Sequence, residues 1–267
     1  MLPSRYFVEL TQPEIAAQLK KKALVILPAG SIEQHGPHLP TGTDTLAAEV
    51  IAHAVAERMD GLVIPSTPLG VTPMHMPFEG TITLAPDTYM RVVTETCAST
   101  ARHGARYLLI LNWHEGNISS LAIAAEALHR DHAMTVLTVQ ACYVAEELYG
   151  HACNGLTHGG EIEALAVLAE RPDLVHLDRI DHSSDPAHGH KMDRLRRTRA
   201  FQPVLTDIRS IAPTGWFGSP QHATAEKGRR MIADIADAIA REATDIFAQL
   251  DAVQGGTAEV KRLRQVK

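Results

Sequence analysis

The chain has 267 residues, 45% of them hydrophobic, and a formal net charge of −6. That apolar content can fill one substantial core, so a single domain over residues 1–267 is expected, and an acidic chain with no Lys/Arg stripe interleaved with aromatics argues against a nucleic-acid partner. No apolar run approaches the roughly 18 residues of a membrane span, and the N-terminal MLPSRYFVELTQPEIAAQLKKKA lacks the order of a signal peptide, so no membrane partner and a cytoplasmic location are expected.

Along the chain, Thr11 can cap a helix over PEIAAQLKKK, with Pro13 tolerated in its first turn and lysines suited to its last. Ala23 to Leu27 reads as a buried strand. Asp44 to Met59 is Ala-rich with apolar residues at helical spacing, and Gly61 stands just past its end, followed by an apolar strand from Leu62 to Pro65. Ser66 to Leu84 carries too many prolines and glycines for a helix and is too long for an ordinary connection, which marks a functional loop. Asp87 to His103 is helical and closed by Gly104. RYLLILN, Arg106 to Asn112, is the clearest strand, Asn117 to Arg130 the next helix, and Met134 to Val139 the next strand. Gly159 to Glu170 reads as a helix stopped by Pro172. The polar stretch Asp181 to Arg199, with His182, His188 and His190, reads as an exposed loop. A last long helix spans Ala223 to Leu250, and the tail from Gly255 reads as frayed.

Alternating strands and helices imply an α/β fold: a three-layer α-β-α sandwich around a mostly parallel central sheet. Ligand sites in such folds form at the carboxyl ends of strands. Cys97, Cys142 and Cys153 are odd in number and widely spaced, which fits reduced thiols rather than a disulfide framework or a thiolate zinc site.

Two polar clusters fall at strand ends. The loop LPAGSIEQHGPHLPTGTDT, residues 27–45, holds Glu33, His35, His38 and Asp44. Glu33 and His35 are two residues apart, so in an extended segment they leave the same face, and Asp44 at a helix start could bridge two cations. Imidazole with carboxylate is a ligand set for Zn, Mn or Fe. Each residue alone also reads as a surface polar group or, for Asp44, a helix cap. NWHEGN places His114 directly after the clearest strand. In a third cluster, THGGEIEALAVLAE, His158 precedes Gly159 and Gly160, and Glu161 and Glu163 open an apolar helix. Two residues apart, those carboxylates point about 200° away from each other, so one at most is a ligand, and Glu163 is the choice.

Taken together these segments resemble the creatininase (creatinine amidohydrolase) family. Its "GSxEQHGPHLPxGTDT" loop, "NGHGGN"-like turn and "HAGExET"-like segment correspond to Gly30–Thr45, NWHEGN and HGGEIEA, with further likeness in HMPFEGTITL (75–84) and TGWFGSPQHATAEKG (214–228). The resemblance covers most of residues 20–250. It implies two divalent metal ions per chain, with Glu33 and His114 on one, His35 and Glu163 on the other, and Asp44 bridging. It implies His158 as proton shuttle. Beside these, Glu115 is a second catalytic candidate, and Trp113, His75, Glu79 and Glu161, in the loops and turns around the expected metals, are substrate-binding candidates. Gly159 and Gly160 could let backbone amides approach the substrate. The implied reaction is hydrolysis of a cyclic amide or other C–N bond of a small molecule by metal-activated water. The implied assembly is a homo-oligomer, commonly a hexamer.

Departures from the family bear on substrate. Creatininase proper carries a glutamate two residues after the metal-binding histidine, where this chain has Gly116 and places its acid at Glu115, which argues against creatinine. Trp113, Glu79 and Ser219 replace a small residue, a proline and an aspartate. The alternatives are a formamide, a short peptide or the C–C bond of a cyclic diketone as substrate, or a non-enzymatic metal-binding scaffold. A carboxylate-rich set with a spare histidine is unlike closed structural zinc sites.

Overall fold

The computed structural model describes residues 2–180, 186–196 and 203–255. Four parallel strands, β1 (Leu24–Ala29), β2 (Leu62–Val63), β3 (Tyr107–Asn112) and β4 (Thr135–Gln140), form a sheet in the order β2-β1-β3-β4. Leu24 pairs with Tyr107 and Tyr107 with Thr135, and the register runs unbroken to Ala29, Asn112 and Gln140. Three strands therefore end at one level, which sets the loops that follow β1 and β3 side by side, next to the chain leaving β4.

Strand periodicity sorts the core into two layers. Leu24 and Ile26 of β1, with Leu109 and Leu111 of β3, face helices α2 (Thr43–Met59), α5 (Ala141–Tyr149), α6 (Glu161–Leu168) and α8 (Ala225–Gly255). Val25, Leu27, Leu108 and Ile110 face α1 (Gln12–Lys21), α3 (Pro86–Arg102) and α4 (Ile118–His132). The expected three-layer sandwich is the observed one. The outer edge of β2 is met by a parallel bridge from Tyr6 to Val63. All three cysteines are buried free thiols, and no helix among the described residues is long and apolar enough to cross a membrane.

Two expectations change. The stretch 181–199 is not a loop throughout: Pro186–Arg196 is helix α7, and the rest of that stretch lies outside the described residues. Its seat is Gly189, where an added Cβ would come within 2.5 Å of the Phe217 ring, so the helix lies directly on that aromatic. Helix α5 begins at the residue after β4 ends, with no turn residues between to announce it. The tail beyond Gly255 lies outside the described residues.

Candidate metal centre

The loop after β1 is folded tightly against the start of α2. An added Cβ at Gly30 would meet the Thr45 backbone nitrogen at 2.4 Å, so only glycine allows this approach. The contact carries Asp44, in the first turn of α2, up to the loop, where Ser31 Oγ donates to its Oδ2 at 2.8 Å. Asn117 fastens the neighbouring loops together. Its Nδ2 donates to the Gly30 carbonyl at 2.9 Å and to Asn112 Oδ1 at 3.2 Å, while its Oδ1 accepts from the Val71 N–H at 2.9 Å. The ends of β1 and β3 and the long 66–84 loop thus share one buried amide.

Over this frame the polar side chains converge into groups of three whose donor atoms lie within 4.8 Å of one another: Glu33, Asp44 and His114; His35, Asp44 and Glu163; and Glu33, His35 and His158. Asp44 belongs to the first two groups. Its Oδ2 lies 3.0 Å from His114 Nδ1, and its Oδ1 lies 3.2 Å from His35 Nε2. Glu33 Oε2 is 3.5 Å from His114 Nδ1, and Glu163 Oε2 is 3.7 Å from His35 Nε2.

Backbone partners fix the ring nitrogens. His114 Nε2 donates to the Val71 carbonyl at 3.1 Å, and His35 Nδ1 donates to the Glu33 carbonyl at 3.1 Å. Each neutral ring therefore turns a lone pair toward carboxylate oxygens, an arrangement that is repulsive unless a cation sits between them. His35 Nε2 is buried with no well-aligned hydrogen bond. Protonation answers the same need. Burial works against a charge on His35, but Asp44 and Glu163 outweigh it and push the ring up to about 10. Burial also opposes charge on His114, and Glu33 and Asp44 push it up to about 9. Burial would raise Asp44, yet the two imidazoles hold it well below the usual carboxylate range. Glu163, buried and beside Asp44, is pushed up to about 8 despite His35. Such a cluster wants positive charge, and its buried imidazole and carboxylate donors fit two divalent cations sharing Asp44.

His158 stands beside this cluster. Its Nε2 donates to the Gln34 carbonyl at 2.6 Å, leaving Nδ1 facing Glu33 Oε1 at 3.8 Å, and burial with the nearby His35 and His75 lowers its pKa well below the ordinary value. His75 Nε2 lies 3.5 Å from Glu33 Oε1, and burial lowers this ring too.

The cluster floors a cavity of about 300 Å³ whose apolar wall includes Met74, Ile208, Ile211 and Phe217. Of the residues expected to meet substrate or act in catalysis, Trp113, His75, Glu115 and His158 line it. Glu161 and Glu79 do not: Glu161 turns to Lys227 Nζ at 3.6 Å, and Glu79 is exposed on the 66–84 loop. The Gly159 N–H is committed to Glu163 Oε2 at 2.6 Å and so is not offered to a ligand. Gly116 explains the missing glutamate, since an added Cβ there would meet the Val71 carbonyl oxygen at 2.2 Å and His114 Nε2 at 2.5 Å. Sequence reasoning missed Thr72, whose hydroxyl donates to Glu33 Oε2, and Asp193, a buried carboxylate on α7 that lines the cavity. Thr72 falls in the stretch already marked as a functional loop, whereas nothing in the polar 181–199 stretch sets Asp193 apart.

Residues 8–243 match the family profile described as "Creatininase: Creatinine amidohydrolase". The chain is 32% identical to a creatinine amidohydrolase of Pseudomonas putida, an alignment covering 91% of this chain and 98% of the relative. It is 31% identical to the mycofactocin precursor peptide peptidase of Mycobacterium ulcerans (strain Agy99), covering 80% and 81% of the two chains. A solved structure described as "Creatininase Mn" superposes with a TM-score of 0.70 at 29% identity, covering 90% of this chain and 98% of that one.

Proposed function

The chain belongs to the creatininase family, whose members are hydrolases acting on C–N bonds, and on that premise we propose that it is a two-metal amidohydrolase cleaving a cyclic amide or other C–N bond of a small molecule. The observation that carries the reading is the pair of donor groups sharing Asp44, with the lone pairs of His35 and His114 aimed between carboxylates. Glu33 and His114 would hold one divalent ion (Zn, Mn or Fe), His35 and Glu163 the other, and Asp44 would span both. Bound there, the ions would supply Lewis acidity, making a water a stronger nucleophile and polarising the scissile carbonyl.

The chain's own residues supply the rest. Thr72 and Ser31 hold the Glu33 and Asp44 carboxylates in place by donating to them. His158, kept neutral and with Nε2–H committed to a carbonyl, offers Nδ1 as acceptor for the proton of the attacking water and returns that proton to the leaving nitrogen. The water oxygen bonds to the carbonyl carbon, the C–N bond breaks, and an acid and an amine leave. The Gly116 backbone, closed against Val71, supports a substrate other than creatinine. Relatedness to a precursor peptide peptidase favours a second reading with a short peptide as substrate, its apolar side chain against Met74 and Phe217. We take the working form to be a cytoplasmic homohexamer, which the solution mass of the purified protein tests.

Metal analysis of protein purified without added metal is expected to find about two divalent ions per chain, and His114→Ala to lose metal together with at least about 10²-fold in rate. A panel of lactams, formamides, short peptides and cyclic diketones identifies the bond. Protein that holds no metal and turns over nothing after Zn, Mn or Fe is supplied would end the proposal.

A further inference from the structure

Gln34, between two of the proposed ligands, is a neutral side chain held at both ends of its amide. Its Oε1 accepts the Gly36 N–H at 3.1 Å, and its Nε2 donates to the Gly215 carbonyl, so backbone groups at both ends define which end of the amide is oxygen and which is nitrogen. Gly215 has φ +88°, and a Cβ there would lie 2.4 Å from Gln34 Oε1, so the amide is gripped where only glycine leaves room. One hydrogen of the Gln34 NH₂ group remains. Two ring nitrogens stand within reach, His75 Nδ1 at 3.2 Å and His158 Nε2 at 3.1 Å.

Only one of them can accept. His158 Nε2 already faces the Gln34 backbone carbonyl at 2.6 Å, and because a carbonyl only accepts, that nitrogen carries a proton. The remaining hydrogen of Gln34 therefore goes to His75 Nδ1, which must hold a lone pair. In a neutral ring the proton of His75 then sits on Nε2, the nitrogen that faces Glu33 Oε1 and the cavity. The two rings lie 4.5 Å apart, centroid to centroid, and present opposite characters to the same space.

We infer that Gln34 is a positioning residue that sets His75 as a hydrogen-bond donor and leaves His158 as a proton acceptor at the cavity. The division suits hydrolysis. An acceptor removes a proton from water while a donor stabilises the oxygen on which negative charge grows, and neither ring can exchange roles while Gln34 holds. The catalytic meaning rests on the two-metal reading above, whereas the assignment of ring protons stands without it.

The test is long-range ¹H–¹⁵N spectroscopy of zinc-loaded, histidine-labelled protein, with His75→Ala and His158→Ala identifying the two signals. Both rings are expected as the Nε2–H tautomer. In Gln34→Glu, whose carboxylate can only accept, His75 is expected to move to Nδ1–H. Metal content should stay unchanged while kcat falls by about 10²-fold and KM changes little. Gln34→Met, which removes the donor without adding charge, is expected to lower kcat and leave the metals in place. A wild-type His75 found as Nδ1–H overturns the inference whether or not either variant folds, and so does an unaltered His75 signal in Gln34→Glu. If the protein proves not to hydrolyse anything, the tautomer result still decides the inference separately from the proposed function.

Discussion

Glu33, His35, Asp44, His114 and Glu163 were readable because charged and imidazole groups at strand ends are conspicuous, and because long motifs tie them to a family. The neutral residues that aim them were not. Thr72, Ser31, Gln34 and Asn117 are ordinary loop residues in the sequence, and their importance comes only from which oxygen or N–H the fold places opposite them. Their effect is open to measurement. Thr72→Val keeps the shape of the side chain but removes the donor to Glu33, and is expected to weaken metal binding by about 10–100-fold in competition with a chelator. An unchanged chelator midpoint would show that Glu33 needs no such support. Glu161 illustrates the reverse: an acid that looks functional beside Glu163 is turned by the helix period to Lys227.

Among the elements, strands and the long amphipathic helices were legible because burial on two faces leaves apolar runs and helical spacing in the sequence. β1, β3 and β4 fall within two residues of their expected bounds. Helix α7 left no such trace. Its residues are mostly polar and it has a glycine in mid-course; it is held by that glycine and the His190 ring against Phe217, by Met192 on the small cluster of Ile208, Ile211 and Phe217, and by His188 Nε2 at the Ser210 carbonyl, rather than by a long apolar stripe. The glycine contact makes α7 sensitive to a methyl group. Gly189→Ala is expected to displace the helix and its Asp193 from the cavity, raising KM several-fold while metal content and the melting temperature of the sheet core stay close to wild type. Steady-state kinetics beside metal analysis checks this, and equal changes in metal content would place the effect in the cluster instead.

For the whole molecule, the cluster links stability to pH, with a sign that depends on what fills it. In metal-stripped protein, His35 and His114 bind protons up to about 10 and about 9, above their ordinary value of 6.5, so the folded form holds more protons than the unfolded form between those limits. Glu163, raised from 4.5 to about 8, acts in the same direction at lower pH. Stability from these groups is fully present below their unfolded values and is lost as pH rises through the folded ones. Asp44, depressed in the fold, opposes them only in acid, where its contribution is lost as pH falls below its ordinary 3.8. Melting temperature of the stripped protein should therefore fall from pH 6.5 to pH 9. With divalent metal present the same ligands must shed protons to bind it, so the trend over that window should reverse. Parallel curves with and without metal would mean that these side chains do not hold the ion.

The proposed ligands are Glu33, His35, Asp44, His114 and Glu163, so about half the length of the polypeptide separates the first from the last. No fragment ending before α6 owns a complete set. If those residues hold the ions as proposed, the ribosome would have to release the chain well past its midpoint before a cation could be captured at full strength. On the two-metal reading, ion uptake at full strength would report that α6 has reached the early loop, and reactivity would wait on that meeting.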